Sequence, residues 1–363
     1  MANALILGGG GFIGTAFYKQ YADDYEKVVI VDKFHGPSHS SLTSYRDLLN
    51  TRRSQDEILC LDVQEIGNFP EIFRDANDVF VLNADTGTGS SFLEPSTSVD
   101  ENLRKLALIC ELIRKYCNKS STKVMFTSSR AVYGEGRWCC LEHGQQITER
   151  STDALANANF APVCPVCSIP MLLEGSLETD PLNPLSVYGL TKAAGEKLLS
   201  ITLSNAGFDV RIVRYQNVYG IGQAIDNPYT GGLNWFSSAL MAGEPVKIYE
   251  QGYIVRDFIF VSDAALILKR LASVESLDHK SSRPLIINGG TGVAIKLLEV
   301  AEVLADLYGS SSEIFLTNDF RIGDVLGAYA NTEKSQLLLG YKLEMPLTDG
   351  LKTYAKWFQD ARG

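Results

Sequence analysis

Tyr188 and Lys192 stand four residues apart in "NPLSVYGLTKAAGEKLLSITLSNAG", a helical pattern with Leu198, Leu199 and Leu203 on its apolar side. The phenol and the ammonium therefore share one helix face. An ammonium near a phenol favours the phenolate and lowers its pKa from about 10, which makes the ring oxygen a usable proton acceptor when an alcohol is oxidised. The same spacing is common on helix surfaces, so its meaning rests on the rest of the chain. A second set of residues suits a metal. Cys140 and His143 are spaced C-x-x-H, and Cys164 and Cys167 are spaced C-x-x-C in "FAPVCPVC". Two such knuckles match the ligand spacing of a tetrahedral structural zinc site, in which all four positions are protein and none is open for water. Cys139 competes with Cys140 on spacing alone. Buried reduced thiols are the plain alternative, and a redox pair fits less well because no thioredoxin-like strand precedes "CPVC".

These groups need a scaffold. Ala4 to Leu7 form an apolar run suited to a buried parallel strand, and Gly8, Gly11 and Gly14 follow at G-x-x-G-x-x-G spacing before a helical pattern. Small residues there permit a tight turn. They also let the amides at the start of the helix, around Phe12 and Ile13, approach a pyrophosphate. A second strand, "KVVIVD", ends in Asp32, where a dinucleotide fold places the acid that binds ribose hydroxyls. An acid at that point repels a 2′-phosphate, so NAD is expected over NADP. Further strands deliver Asp62 in "EILCLDV", the loop "DTGTGSS" after "DVFVLNA", and hydroxyl residues in "KVMFTSSRAVYGEG". Strands alternating with helical segments predict an α/β, Rossmann-type, doubly wound parallel sheet.

The chain has 363 residues, 45% hydrophobic and 21% charged, with a formal charge of −10. That size fits one large or two closely joined domains. Binding to nucleic acid is not expected, because it rests on clustered Lys and Arg. No apolar run is long enough for a bilayer, so a membrane partner is not expected and a cytoplasmic location is. Seven cysteines fit reduced or metal-bound thiols better than a disulfide framework.

"GGGGFIG", "TSSRAVYG", "YGLTK", "RYQNVYG", "VRDFIFVSDAA", "INGGTG" and "FRIGDV" occur in that order over nearly the whole chain. In this the sequence resembles the extended short-chain dehydrogenase/reductase family, the NAD-dependent nucleotide-sugar epimerases and dehydratases. The resemblance implies that Ser129 orients a sugar hydroxyl, Tyr188 is the base, and Lys192 both tunes Tyr188 and holds the nicotinamide ribose. It implies further cofactor contacts at Asp62, Val63, Leu82, Ala84, Asn102 and Tyr215. Substrate contacts are implied at Thr86, Ser129, Asn217, Leu233, Arg256 and Arg321, the two arginines gripping a diphosphate. The 4,6-dehydratases of the family carry an acidic pair after the catalytic hydroxyl residue, whereas this chain has Arg130 and Ala131. Reversible hydride transfer at C4 remains, so a 4-epimerase is expected. The narrower likeness, through "RYQNVYGIGQAIDNPYTGGL", "ADTGTGSS" and the cysteine-bearing insertion, is to bacterial 4-epimerases of dTDP-L-rhamnose. Ile221, Asn83 and Asp85 depart from that pattern. A 4-ketosugar reductase and a noncatalytic NAD-sensing scaffold are the alternatives.

Residues 1–215 are expected to form the NAD-binding domain, with an insertion at 136–180. Residues 216–363 are expected to be mainly a smaller substrate domain, with 256–290 returning to the cofactor domain. Leu103, Leu106, Ile109, Cys110 and Ile113 repeat at helical spacing. The resemblance implies that this helix and the Tyr188 helix pair with their copies in a homodimer.

Overall fold

The computed structural model describes residues 2–34, 43–225, 232–275 and 282–362. Most of the "DNPYTGG" stretch lies outside them. The centre is a seven-stranded sheet built from β1 (Ala2–Leu7), β2 (Tyr25–Asp32), β3 (Glu57–Cys60), β4 (Asp78–Val81), β5 (Lys123–Ser129), β6 (Asp209–Tyr215) and β7 (Leu285–Gly289). Their order across the sheet is β7-β6-β5-β4-β1-β2-β3, and every neighbouring pair is parallel. The chain runs outward from β1 to β2 and β3, then returns to place β4 on the other side of β1. That reversal opens a crevice at the C-terminal ends of β1 and β4, where doubly wound sheets take their ligands.

Burial on both faces explains the apolar runs. Along β1, Ala4 and Ile6 pack into one face with α1 (Phe12–Tyr21), and Leu5 and Leu7 pack into the other. The second face is covered by α2 (Lys105–Tyr116) and α3 (Val187–Thr202), through Leu106, Ile109, Ile113 and Leu199. Helix α4 (Val261–Ser273) joins α1 on the first face through Ala264, Ile267 and Leu268. Fully burying one Leu or Ile side chain contributes about 1.5–3 kcal/mol, so these two layers dominate the stability of the sheet.

A third core gathers Leu233, Phe236, Val300, Leu304, Leu351, Tyr354 and Phe358, from the helices Gly232–Ala242, Leu297–Tyr308 and Leu347–Arg362. It lies beside short strand pairs such as Asn217–Tyr219 with Phe258–Phe260. The insertion forms a small antiparallel sheet in which Arg137–Cys140 lies between Gly144–Gln146 and Leu172–Glu174. Its Trp138, Leu155, Phe160 and Met171 pack with Ile254 and Leu326 from the C-terminal half. Among the described residues, no helix is long and apolar enough to cross a membrane.

Candidate active site

The loop after β1 has little room. Gly8 has φ +82°, and a Cβ there would lie 2.4 Å from the backbone nitrogen of Asn83, so the loops leaving β1 and β4 touch. Gly14 lies against Gly9 with the same restriction. Gly11 caps α1 and supplies no side-chain acceptor, so the first-turn amides of Phe12 and Ile13 have neither a side-chain cap nor an intrahelical partner. The side-chain oxygen of Asn83 is buried there without a hydrogen-bond partner. Asp32 is buried at the end of β2 and accepts from the amides of Gly10 and Phe34, both at 2.9 Å. A carboxylate at this place suits ribose hydroxyls, which would donate to it. A tight glycine turn, uncapped amides, an orphan polar atom and a buried acid together fit a dinucleotide.

Other expected cofactor residues have protein partners. Asp62 accepts from the Lys105 ammonium at 2.7 Å, and Lys105 also pairs with Glu101. Burial is the largest single influence and opposes ionisation of Asp62, but the Lys105 bond, the Gln64 amide and the charges of Lys105 and Lys33 together hold the carboxyl below its ordinary range. Asn102 is buried in the segment leading into α2. It clasps Asp85 through both backbone groups, at 2.7 and 2.9 Å, and reaches Thr191 on α3 at 3.1 Å. It thereby fixes the β4 loop carrying Leu82, Ala84 and Thr86 against the Tyr188 helix. The Asp85 carboxylate is tied to Ser98 at 2.8 Å. Val63 is buried against the α2 face of the sheet. The Tyr215 ring lies in the α1 core and its hydroxyl donates to the Ala264 carbonyl at 2.6 Å.

Ser129 ends β5, and Tyr188 lies in the first turn of α3, which is capped by the Ser186 hydroxyl accepting from Gly189 at 3.0 Å. Burial raises the Tyr188 pKa above its ordinary value, with a Ser129 hydrogen bond and the charge of Arg130 acting in the opposite direction. Lys192 is buried one turn on. Its ammonium donates to the Thr127 carbonyl at 2.8 Å and sits 4.8 Å from the Phe126 ring centre and 6.0 Å from that of Tyr188. Burial pushes Lys192 down to about 8. The pairing expected from the spacing thus differs in detail. Lys192 holds the strand behind Tyr188, while Ser129 and Arg130 are the groups that favour the phenolate.

The sequence reading missed what lies underneath. Glu196 is the next residue after Lys192 on that helix face. It accepts from Ser128 at 2.5 Å and takes the Arg214 guanidinium in a fork at 2.9 and 2.7 Å. Arg214 also donates to the Tyr133 hydroxyl at 2.9 Å, and Tyr133 donates to Asn288 at 2.7 Å. Helical spacing of Glu196 from Lys192 was the available signal.

Of the residues expected to meet substrate, Asn217 accepts from the Arg130 guanidinium at 2.9 Å. Arg256 is buried and donates to Asp324 at 2.6 Å, and Arg321 is exposed with its guanidinium 5.1 Å from the Tyr249 ring centre. Leu233 is buried in the C-terminal core. The metal-type residues converge: the ligand atoms of Cys140, His143, Cys164 and Cys167 all lie within 4.8 Å of one another. Cys140 is 3.5 Å from His143 and 3.6 Å from Cys167, and Cys164 is 3.7 Å from His143. Tetrahedral bonds of about 2.0–2.3 Å place ligand atoms roughly 3.5–3.8 Å apart, so the set fits zinc. The Glu142 amide, then His143, hold the Cys140 thiol below its ordinary pKa, which suits a thiolate ligand. Cys139 instead donates to Glu174 at 3.0 Å.

Residues 4–282 match the model of the NAD dependent epimerase/dehydratase family. The chain is 30% identical to dTDP-L-rhamnose 4-epimerase of Burkholderia thailandensis, over 97% of this chain and 94% of that one. Among solved structures, MoeE5 in complex with UDP-glucuronic acid and NAD is 25% identical with a TM-score of 0.75, covering 99% of each chain. The UDP-glucose 4-epimerase of Thermotoga maritima, solved with UDP-glucose, shares the fold at 21% identity and a TM-score of 0.77, covering 99% of this chain and 100% of that one. The chain is an enzyme of the NAD dependent epimerase/dehydratase family.

Proposed function

We propose that this chain is a nucleotide-sugar 4-epimerase that retains its NAD from one turnover to the next. The observation that carries the reading is Ser129 lying close enough to Tyr188 to favour its phenolate, with Lys192 buried behind them and Arg130 and Ala131 in place of an acidic pair. NAD, when bound, supplies the hydride acceptor and donor. Ser129 orients the C4 hydroxyl and Tyr188 takes its proton at the phenolic oxygen. Lys192 fixes the strand end through Thr127 and would hold the nicotinamide ribose when NAD is bound. With the 4-keto sugar turned in the cleft, Tyr188 would give the proton back, and bound NAD would supply the hydride for the opposite face. Gly8 to Gly14, with Asp32, hold the dinucleotide. Residues 1–215 serve the cofactor and 216–363 mainly the sugar nucleotide, with 256–290 returning to the cofactor side.

The substrate proposed is a dTDP-hexose, dTDP-L-rhamnose interconverting with dTDP-6-deoxy-L-talose. The motif likeness and the Burkholderia relative support it, and the UDP-sugars of the other relatives are the competing candidates. Incubation with dTDP-L-rhamnose, UDP-glucose and UDP-glucuronic acid, followed at C4 by NMR, tests the reading. Inversion of dTDP-L-rhamnose without added NADH is expected. Inversion of a UDP-sugar alone rejects the thymidine assignment, and no inversion rejects the epimerase.

The Cys140, His143, Cys164 and Cys167 set is proposed to hold one structural zinc ion. Elemental analysis of protein purified without added metal should give about one zinc per chain, and a ratio near zero with an intact fold rejects the site. A homodimer through α2 and α3 is also proposed. Leu190 and Ile201 on α3, and Phe92 and Leu93 beside it, are exposed apolar residues, which supports that face as an interface.

A further inference from the structure

Arg130 follows Ser129 directly, where the chain turns out of β5 into the short 3-10 turn Arg130–Tyr133. Its Nε donates to Asn217 at 2.9 Å, the one hydrogen bond the guanidinium makes among the described residues. A guanidinium carries five N–H donors, so its terminal nitrogens remain to be matched. One cation, Arg256, and two carboxylates, Asp324 and Glu135, lie within its field. Arg256 repels Arg130, while Asp324 attracts it without a hydrogen bond and accepts on its Oδ1 from Arg256 at 2.6 Å and from the Val325 amide at 2.9 Å. Glu135 also lies within electrostatic reach, but its carboxylate is bound to Arg150 at 2.6 Å. Burial first, and then Arg256, push Arg130 down to about 9. A cation held at such a disadvantage is relieved by an anion, and a guanidinium edge suits a carboxylate or a phosphate through paired hydrogen bonds. Asn217 fixes the near edge of the group while Tyr188 lies within its field, so the anion would sit beside the reacting hydroxyl.

We propose that Arg130 anchors the substrate through an anionic oxygen held near Ser129 and Tyr188: an oxygen of the diphosphate, which every candidate substrate carries, or, for the competing uronic acid, the hexose carboxylate that dTDP-L-rhamnose lacks. The assignment rests on the sugar-nucleotide reading above and names a contact within it. The full-length, NAD-loaded protein, as wild type, Arg130→Gln and Arg130→Lys, is titrated calorimetrically with UDP-glucuronic acid, UDP-glucose and UDP, and with their thymidine counterparts. Arg130→Gln should weaken the affected ligands about tenfold or more, and Arg130→Lys should restore part of the loss. Unchanged NAD content shows that each variant has kept its site. A loss confined to the glucuronic acid derivatives assigns the carboxylate. An equal loss for all three ligands, UDP included, assigns the diphosphate. A loss for both sugars but not for UDP marks a neutral hydroxyl contact and overturns the proposal. Unchanged affinities, or no binding by the wild type, also overturn it. C4 inversion by the wild type, read in the same samples, separates the two ideas. Inversion with unchanged affinities rejects Arg130 alone, whereas Arg130-dependent binding without inversion rejects the epimerase reading.

Discussion

Lys192 is the residue at which burial and chemistry meet. Its ammonium is buried, bonded to one carbonyl, and pushed down to about 8 from an ordinary 10.5. Between those two values the unfolded chain holds the extra proton, so this residue's contribution to native stability rises with pH across the window and is smallest below about 8. The stability of wild type relative to Lys192→Met should therefore increase between about pH 7.5 and 9.5, at up to about 1.4 kcal/mol per unit. Denaturant unfolding of the cofactor-free proteins at the two pH values measures this. A flat difference, or one that moves against the wild type, contradicts a depressed, buried ammonium. The Tyr188 and Lys192 pair was legible because helical periodicity alone puts both on one face. The direction of the Lys192 ammonium was not legible, since the Thr127 carbonyl that receives it lies 65 positions away in sequence.

At the scale of elements, the insertion is joined to the Ser129 loop and the C-terminal half through Arg150. Its side chain is buried between Glu135, which follows the Ser129 turn, and Glu250, and it donates to the Asp324 carbonyl at 2.9 Å. Glu250 and Gln251 adopt φ of +50° and +52°, a conformation that costs non-glycine residues about 1–3 kcal/mol, to bring that carboxylate inward. Removing the cation leaves two buried carboxylates facing each other. Arg150→Met should destabilise the fold by about 3–5 kcal/mol, and the triple variant Arg150→Met, Glu135→Gln, Glu250→Gln should recover part of that loss. Denaturant midpoints test it, and a single variant as stable as wild type contradicts the strut. The CxxH and CxxC spacings were readable. The choice of Cys140 over Cys139 was not, because it depends on strand pairing that turns Cys139 toward Glu174. Trp138, Leu155, Phe160 and Met171 pack with Ile254 and Leu326, roughly 80 to 190 residues further on.

For the whole molecule, the parallel sheet was legible because buried strands such as "LILG" and "VVIVD" are continuous apolar runs closed by glycine or acid. The substrate side was less legible, since strands such as Val255–Arg256 have two residues and carry no periodicity. Its sheets are set by distant partners, as in the pairing of Val255 with Lys296 and Gly327. The proposed dimer follows from the exposed apolar face on α3. Leu190→Glu with Ile201→Glu should convert the dimer to monomer in sedimentation, and an unchanged mass contradicts that interface. The central claim is that one nicotinamide takes the C4 hydrogen and returns it to the same carbon. The most direct measurement is epimerisation of dTDP-L-rhamnose in deuterated water without added cofactor, with Tyr188→Phe alongside. The account predicts C4 inversion with the original hydrogen retained at C4, and turnover lower by about 10²-fold or more in the variant. Deuterium at C4, or full activity of Tyr188→Phe, would contradict it.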